Sequence, residues 1–301
     1  DASELIHSGV CQAVIIAVPH YLHPSMAIEA MEAGLHVIVE KPASVYTKQV
    51  EQMNAVAAKH PELVYCMDFN QRTNPLYKKV KDLIDSGDLG EMTRVIWIVT
   101  DWYRSQSYYD QGGWRATWDG EGGGVLLNQN PHNLDLWQWM CGIPKRVKSQ
   151  VYYGKHRNIE VEDDLYALVE YENGATGCYI TTVGDAPGTN RLEIDGTNGK
   201  IVVENNELTF YRLRIPEPEF NATYKGGLGK PEVWECKIPI KGTYTSHPGI
   251  INNFCDCILK GAKPIAPGAE GSRGLQISNA IHLSSWLNGE WVDIPVNGDL
   301  F

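Results

Sequence analysis

The sequence has few positive charges for its size. It carries 26 Lys and Arg residues against 37 Asp and Glu residues, a formal net charge of −11. Charge-driven binding to nucleic acid or to an anionic membrane needs a basic patch, so neither partner is expected. No apolar run approaches the roughly 20 residues that a membrane-spanning helix needs. The 43% of hydrophobic residues is ordinary for a soluble globular protein with a large core and two domains.

Paired or clustered cysteines are also lacking. The seven cysteines are scattered and odd in number, which favours reduced thiols and a cytoplasmic location. Cys255 and Cys257 are two apart in a helical pattern and point to different sides. We therefore expect neither a disulfide framework nor a metal site.

The first part of the chain alternates apolar runs with helical stretches. The runs are "AVIIAV" (13–18), "HVIV" (36–39) and "LVYCM" (63–67), and the helical stretches are 23–34 and 44–60. Short strands that are apolar on both faces, separated by helices, indicate parallel βαβ units.

After Asp68 the pattern changes to long strand-like runs. A helix begins at Asn74 as cap, with Pro75 in its first turn. Further helices are predicted at 130–141, 248–260 and about 270–287. Strands are predicted at 93–101, 146–153, 164–172, 175–183, 191–195, 200–204, 207–213 and 232–238. The predicted fold combines α/β and α+β parts: a partial, parallel Rossmann domain at 1–68, then a domain at 69–301 with a large, mostly antiparallel open sheet flanked by helices.

A lysine stands at the end of one predicted buried strand, in the sequence "HVIVEKPAS" (36–44). Ligands of open α/β sheets bind beyond the carboxyl ends of the strands. Pro42 restricts the backbone of Lys41 and so limits where its ammonium points. Taken alone, the tripeptide is better explained by a surface salt bridge made by Glu40.

A second stretch, "GEGGGVLLNQNPHNLDLWQWMCG" (120–142), places a histidine at a helix start. Asn130 and Pro131 have the pattern of a cap and first turn, so the helix dipole should lower the pKa of His132. A neutral histidine can accept a proton. Asn128 lies one turn earlier if the helix already runs there, or in the preceding loop if the helix begins at Pro131.

Together these segments resemble the Gfo/Idh/MocA family, named for glucose–fructose oxidoreductase and inositol dehydrogenase. The matching pieces follow one another in the family's order and cover essentially the whole chain. They are "VIIAVPHYLHPSMAIEAMEAGLHVIVEKPAS", "NQRTNPLYKKVKDLIDSGDLGEM", "WR" at 114–115, "GGGVLLNQNPHNLDLWQWMCG", "VEDDLYALVEYENGATG" and "LEIDGTNGKIVVEN".

The resemblance implies an NAD(P)-dependent oxidoreductase acting on a sugar, glycoside or cyclitol hydroxyl, with NAD favoured over NADP. Lys41 corresponds to the family's catalytic lysine, and its D-x-x-x-H pair corresponds to Asn128 and His132. Asn128 departs from the usual Asp and cannot be a carboxylate base. His132 is then the expected base and Lys41 the donor to the substrate oxygen.

By the same resemblance, Pro19, His20, His23, Glu40 and Lys41 are expected near the nicotinamide ribose. Without the family resemblance, residues 19–24 are typical of a turn before a helix.

Substrate contacts are expected from Tyr103, Trp114 and Arg115, because aromatic rings stack on sugar faces. The tyrosines of this segment fit an oligomer surface equally well. Asp185 and Asn190, in the loop "GDAPGTN", are further candidates. A homo-oligomer, dimer or tetramer, through the sheet face is expected from the family only.

No G-x-G-x-x-G opens the chain, which begins "DASELIHSGVCQ" like the middle of a domain. The three predicted parallel strands correspond to strands 4 to 6 of a complete dinucleotide fold. We therefore expect this polypeptide to keep the nicotinamide half and to bind cofactor weakly or not at all. A ligand sensor without catalysis and an NAD-retaining lyase or isomerase remain alternatives on the same fold.

Overall fold

A computed structural model describes residues 1–301. The strands are β1 (Ala13–Ile16), β2 (His36–Val39), β3 (Tyr65–Met67), β4 (Met92–Val99), β5 (Arg146–Tyr153), β6 (Glu162–Glu170), β7 (Thr176–Thr182), β8 (Asn190–Gly196), β9 (Gly199–Glu204), β10 (Glu207–Leu213), β11 (Val233–Ile238) and β12 (Val292–Asp293). The helices are α1 (Ala2–His7), α2 (His23–Glu32), α3 (Thr47–Ala57), α4 (Pro75–Asp85), α5 (Gln106–Tyr109), α6 (Pro131–Cys141), α7 (Glu217–Thr223), α8 (Ser246–Lys260) and α9 (Gly271–Trp286). None of the helices combines the length and apolar character needed to cross a membrane.

The smaller sheet is parallel, with the order β1-β2-β3. Helices α2 and α3 connect its strands, as the predicted βαβ units require. Val37, Ile38 and Val39 of β2 are fully buried, since this central strand is covered on both faces. The parallel arrangement predicted from the apolar runs is confirmed.

The larger sheet has nine strands in the order β11-β10-β9-β8-β4-β7-β6-β5-β12. Every neighbouring pair in it is antiparallel except β4 and β7, which run parallel. The predicted strands are present, with ends that differ by one to two residues at several places. The predicted large, mostly antiparallel sheet is confirmed.

The core of the smaller sheet draws on the distant C-terminal part of the chain. Its cluster of 21 buried residues includes Ile250 and Phe254 of α8, Ala266 and Leu275. The segment before α9 also covers the free edge of β3, because Met67 N donates to the carbonyl of Ala266. The small sheet is thus completed by residues far beyond position 68, and the domain division after that residue stays a prediction.

A buried ion network fixes helix α6. The Arg72 guanidinium donates to both carboxylate oxygens of Asp135, at 2.6 and 2.8 Å, and to Glu270 at 2.6 Å. The side chains of Arg72 and Asp135 are each only 1% exposed. Paired and hydrogen-bonded charges of this kind are the form in which charges persist inside proteins. The network therefore holds the helix that carries His132.

Candidate active site

Lys41 projects from the end of β2 towards the segment that precedes α6. Strand β2 ends at Val39, and the Nζ of Lys41 donates to the main-chain carbonyl of Asn128 at 3.0 Å. The Lys41–Pro42 peptide bond is cis, which the sequence pattern did not indicate. The strand end and the loop before α6 thus meet at the lysine ammonium.

His132 lies in the first turn of α6, which begins at Pro131. Asn128 is therefore in the loop before the helix, so the helical alternative is excluded. The predicted cap position and first turn of α6 are confirmed, but the side-chain cap hydrogen bond is missing. Asn130 has the N-cap position, but its side chain donates to Thr181 Oγ1 of β7 at 2.6 Å and caps nothing. The capping atom itself, Oδ1 of Asn130, is buried and has no hydrogen-bond partner.

The glycines before α6 let the loop pack closely against the protein itself. Gly122 has a φ of +82°, and a Cβ at Gly124 would overlap the main-chain carbonyl of Glu162. The Glu162 carboxylate accepts from Gly124 N at 2.8 Å and from Leu126 N at 2.9 Å. The buried carboxylate thus fixes the loop that presents Asn128 to Lys41.

The site keeps its histidine neutral. Burial lowers the pKa of His132 to about 3, and the positive charges of Lys41 and His247 act in the same direction. Burial, which the sequence did not indicate, is the largest of these effects. Nδ1 of His132 is buried and has no hydrogen-bond partner. An imidazole in this state is available to accept a proton throughout the neutral pH range.

The pKa of Lys41 is lowered as well. Burial lowers the pKa of Lys41 below its usual value, the carboxylates of Glu40 and Glu121 oppose this effect, and Arg115 adds to it. The site therefore combines a lysine whose pKa is lowered with a neutral histidine, and perturbed side chains of this kind are typical of active sites.

Glu121 is the residue that sequence reasoning missed. It is 2% exposed. Its Oε2 accepts from Ala116 N at 2.8 Å, its Oε1 accepts from Asn128 Nδ2, and its main-chain carbonyl faces His20 Nδ1 at 2.8 Å. The sequence signal for it is the acidic residue inside the glycine-rich turn "GEGGG".

Two of the predicted cofactor contacts have protein partners. His23 is almost fully buried, and its two nitrogens face the carbonyls of Pro42 at 2.7 Å and Val18 at 2.9 Å. His20 is also buried, and burial lowers its pKa to about 4. The carbonyl of Pro19 accepts from Leu22 N and closes the turn. These histidines hold the loop beside Lys41, and their contact with a cofactor stays a prediction.

The ends of β2 and β3 form a carboxylate pair. Ligand atoms of Glu40, Asp68 and His247 lie within 4.8 Å of one another. Oδ1 of Asp68 is buried with no hydrogen-bond partner, and burial followed by the Glu40 charge raises the pKa of Asp68 to about 6. Glu40 accepts only from Lys41 N, at 3.2 Å, and carboxylates with free acceptor positions fit the hydroxyl groups of a ribose. Glu40 and Asp68 would therefore suit the cofactor expected here.

The predicted substrate residues divide into two groups. Arg115 lowers the pKa of both Lys41 and His20, and its guanidinium lies over the ring of Trp114, which in turn packs edge-on against His20 at 6.2 Å. Trp114 and Arg115 are therefore beside the site.

The other three candidates show no such link to the Lys41 site. Tyr103 packs under Arg157, and Asp185 is exposed. Asn190 accepts from Trp97 Nε1 and donates to Asp101. Their part in substrate binding stays a prediction.

Two family models match the chain. Residues 1–67 match the oxidoreductase family with an NAD-binding Rossmann fold, GFO_IDH_MocA. Residues 77–202 match the GFO/IDH/MocA C-terminal domain. The two matches lie on the small parallel sheet and on much of the large one.

Several characterised proteins are similar along nearly the whole chain. Levoglucosan dehydrogenase of Pseudarthrobacter phenanthrenivorans is 26% identical over 98% of this chain and 83% of its own length. The NAD(+)-dependent scyllo-inositol 2-dehydrogenase of Bacillus subtilis is 24% identical over 98% and 81%. The WlbA dehydrogenase of Bordetella pertussis, solved with NADH and UDP-GlcNAcA, superposes with a TM-score of 0.82 at 26% identity, covering 99% of this chain and 83% of that one. The chain belongs to the Gfo/Idh/MocA family of NAD(P)-dependent oxidoreductases.

Proposed function

We propose that this chain transfers a hydride between NAD and a hydroxyl-bearing ring carbon of a sugar, glycoside or cyclitol, with NADP as the alternative cofactor. The observation that carries the proposal is the hydrogen bond from the Lys41 ammonium to the carbonyl of Asn128, four residues before the neutral His132. The names of similar proteins, which include levoglucosan and scyllo-inositol dehydrogenases, support the ring hydroxyl as the reacting group.

In the oxidation direction, His132 accepts the proton of the substrate hydroxyl as general base. A bound nicotinamide would supply the acceptor for the hydride that leaves the same carbon. Lys41 donates a hydrogen bond to the substrate oxygen and stabilises its developing negative charge. Both side chains come from rigid positions, a strand end and a helix start, and this limits reorganisation during the reaction.

The low pKa of His132 makes it always available but intrinsically a weak base. A substrate oxygen that gains negative charge beside the ring favours the imidazolium, because an opposite charge at short range stabilises the charged form. Proton uptake by His132 is therefore tied to the moment at which charge develops on the substrate. Asn128 adds no charge and acts through its carbonyl and its amide.

The remaining assignments belong to the same proposal. Residues 1–68 would bind the nicotinamide half of the cofactor, with Pro19, His20, His23, Glu40 and Lys41 around it. Residues 69–301 would bind substrate, through Trp114 and Arg115 and through Tyr103, Asp185 and Asn190, and would form a cytoplasmic homo-oligomer that binds neither nucleic acid nor membranes. Exposed Tyr152, Tyr166 and Leu168 on β5 and β6 support a sheet-face interface.

The test is a panel of sugars, glycosides and cyclitols with the full chain and NAD+ or NADP+, followed by the absorbance of reduced nicotinamide. With the best substrate, Lys41→Met should lower kcat/KM by about 100-fold or more, since a charged donor to an oxyanion contributes on the order of 3 kcal/mol. Lys79→Met, at an exposed lysine of α4 paired only with Asp82, is the matched control. Turnover that yields no net reduced cofactor would instead indicate a lyase or isomerase, and a fully active Lys41→Met enzyme would refute the assignment.

A further inference from the structure

The proposed mechanism leaves one buried charge without a role. Glu121 is a carboxylate with two hydrogen-bond donors, Ala116 N and Asn128 Nδ2. No lysine or arginine lies within ion-pair distance of it: Arg115 donates to Tyr108 OH and lies over two aromatic rings, and Lys41 donates to the Asn128 carbonyl. A carboxylate inside a protein is costly, and burial raises the pKa of Glu121 accordingly. Such a cost at a functional site suggests that the charge acts on its neighbours.

Asn128 links this carboxylate to the lysine. Its side-chain amide donates to Glu121, and its main-chain carbonyl accepts from Lys41 Nζ at 3.0 Å. The amide oxygen accepts from Gln129 Nε2 at 3.1 Å. Every polar group of Asn128 that faces the site is therefore engaged, and the residue can move only if Glu121 or Lys41 moves with it.

The chemistry of the pair also explains the residue type at position 128. An ionised Asp accepts hydrogen bonds only, whereas Asn has two donors. With Glu121 charged, an Asp at this position would place two carboxylates against each other, but an Asn gives the carboxylate a donor. Only one of positions 121 and 128 can therefore carry a negative charge, and in this chain that position is 121.

Resting on the proposed function, we infer that Glu121 is a positioning residue that acts through Asn128. It orients the carbonyl that holds the Lys41 ammonium, and it supplies the negative charge that keeps this ammonium protonated. Lys41 carries the positive charge that stabilises a developing oxyanion only in its protonated form, so Glu121 widens the pH range over which the site works.

Other charged groups face the same lysine and must be held constant. Glu40 stabilises the ammonium, while Arg115 opposes it, and Lys41 in turn lowers the pKa values of the surrounding histidines. The groups on the adjoining elements are Glu40, Arg115, Glu121, His20, His23 and His132. Removing Glu121 takes away one of the two negative charges in this set.

The experiment moves the charge between the two positions. In Glu121→Gln the negative charge is lost. In the double variant, Glu121→Gln with Asn128→Asp, the new amide at position 121 can accept from Ala116 N through its oxygen and donate through its nitrogen to the new carboxylate at position 128. The hydrogen bond between the two side chains is then reversed, and the charge is restored. Asp119→Asn removes the same charge from an exposed position in the same loop and is the control.

The primary readout is independent of catalysis. Lysine labelled with nitrogen-15 reports the titration of Lys41 by NMR, with its signal identified by loss in Lys41→Arg. We expect the pKa of Lys41 to fall in Glu121→Gln, to return in the double variant and to stay unchanged in Asp119→Asn. If Glu121→Gln does not fold, the pKa of Lys41 in the double variant is compared with that in the wild type. An unchanged Lys41 pKa supports the inference, and a lowered one overturns it.

The second readout is the pH profile of kcat/KM. The alkaline limb of Glu121→Gln should move to lower pH, with a roughly tenfold to hundredfold loss at the wild-type optimum from misplacement of the donor, and the double variant should recover most of it. A shifted Lys41 titration in a chain that lacks dehydrogenase activity would support the inference and refute the proposed function. An unshifted titration in an active dehydrogenase would overturn the inference and leave the function standing.

Discussion

Removing one charge of the buried Arg72–Asp135 pair under α6 should lower the free energy of unfolding more than replacing both residues by apolar ones. Arg72→Met leaves the Asp135 carboxylate fully buried with Gln138 Nε2, at 2.9 Å, as its remaining side-chain donor. Asp135→Leu leaves the guanidinium with Glu270 and the Ile265 carbonyl. Arg72→Met should destabilise the protein by about 3–5 kcal/mol, because the Asp135 carboxylate stays buried without a counter-ion. Asp135→Leu should cost less than Arg72→Met, because Arg72 keeps Glu270 as an ion partner.

The double variant removes both buried charges at once. Glu270 is the remaining member, and its side chain is 21% exposed and close to Arg273, so water and a second guanidinium can solvate it. Replacing a buried pair by apolar side chains is often close to neutral. We therefore expect Arg72→Met with Asp135→Leu to lose less than either single variant, with a coupling energy of several kcal/mol in the double-mutant cycle.

Equilibrium unfolding in urea, followed by far-ultraviolet circular dichroism on all four proteins, measures this cycle. Lys81→Met, at the surface pair with Asp85, is the matched control and should change stability by less than about 1 kcal/mol. Single-variant losses below about 1 kcal/mol, or losses that simply add in the double variant, would refute the reasoning that burial makes the unpaired charge costly.

The site and its loop give three further predictions. His132→Ala should lower kcat by about 10²–10⁴-fold, because the base is lost. Asn128→Ala keeps the main-chain carbonyl that Lys41 uses, so its kcat should fall less. Equal losses of kcat in steady-state kinetics would contradict this. The pKa values of His132 and His20 are lowered to about 3 and about 4. The free energy of unfolding should therefore be highest above the ordinary histidine pKa of about 6.5 and should decrease as the pH falls from there towards 4. An unchanged urea midpoint over that range would argue against the burial of the two histidines. Gly124→Ala should cost about 1–3 kcal/mol, because its Cβ overlaps a main-chain carbonyl of β6, whereas Gly113→Ala meets open space; similar unfolding midpoints for the two variants would contradict the tight packing.

The elements with unambiguous apolar periodicity could be predicted from the sequence. Strand β2 matches its four-residue apolar run, and α4 begins at Pro75 with Asn74 capping Leu76 N. Local rules suffice here because burial and capping chemistry agree. The parallel pairing of β4 with β7 inside an antiparallel sheet has no such signal, since alternation along a strand is the same for both pairings.

Contacts between distant positions were the harder part of the site. The sequence identified Lys41 and His132 from strand-end and helix-start chemistry and from the family resemblance. It did not indicate that Glu121 binds Asn128 or that Arg72 pairs with a carboxylate 63 positions away. A polar residue looks the same in a sequence whether water or a buried partner satisfies it, and only packing decides between the two.

The core that the small sheet shares with α8 and α9 constrains how this enzyme can be re-engineered. Ile250, Phe254, Ala266 and Leu275 interlock with side chains of the first 69 residues. A chimera that takes its cofactor-binding half from a relative would thus inherit mismatched side-chain volumes beneath β2 and β3. Swaps that exchange these four positions together with the donor half should yield folded hybrids where simple fusions at residue 68 fail.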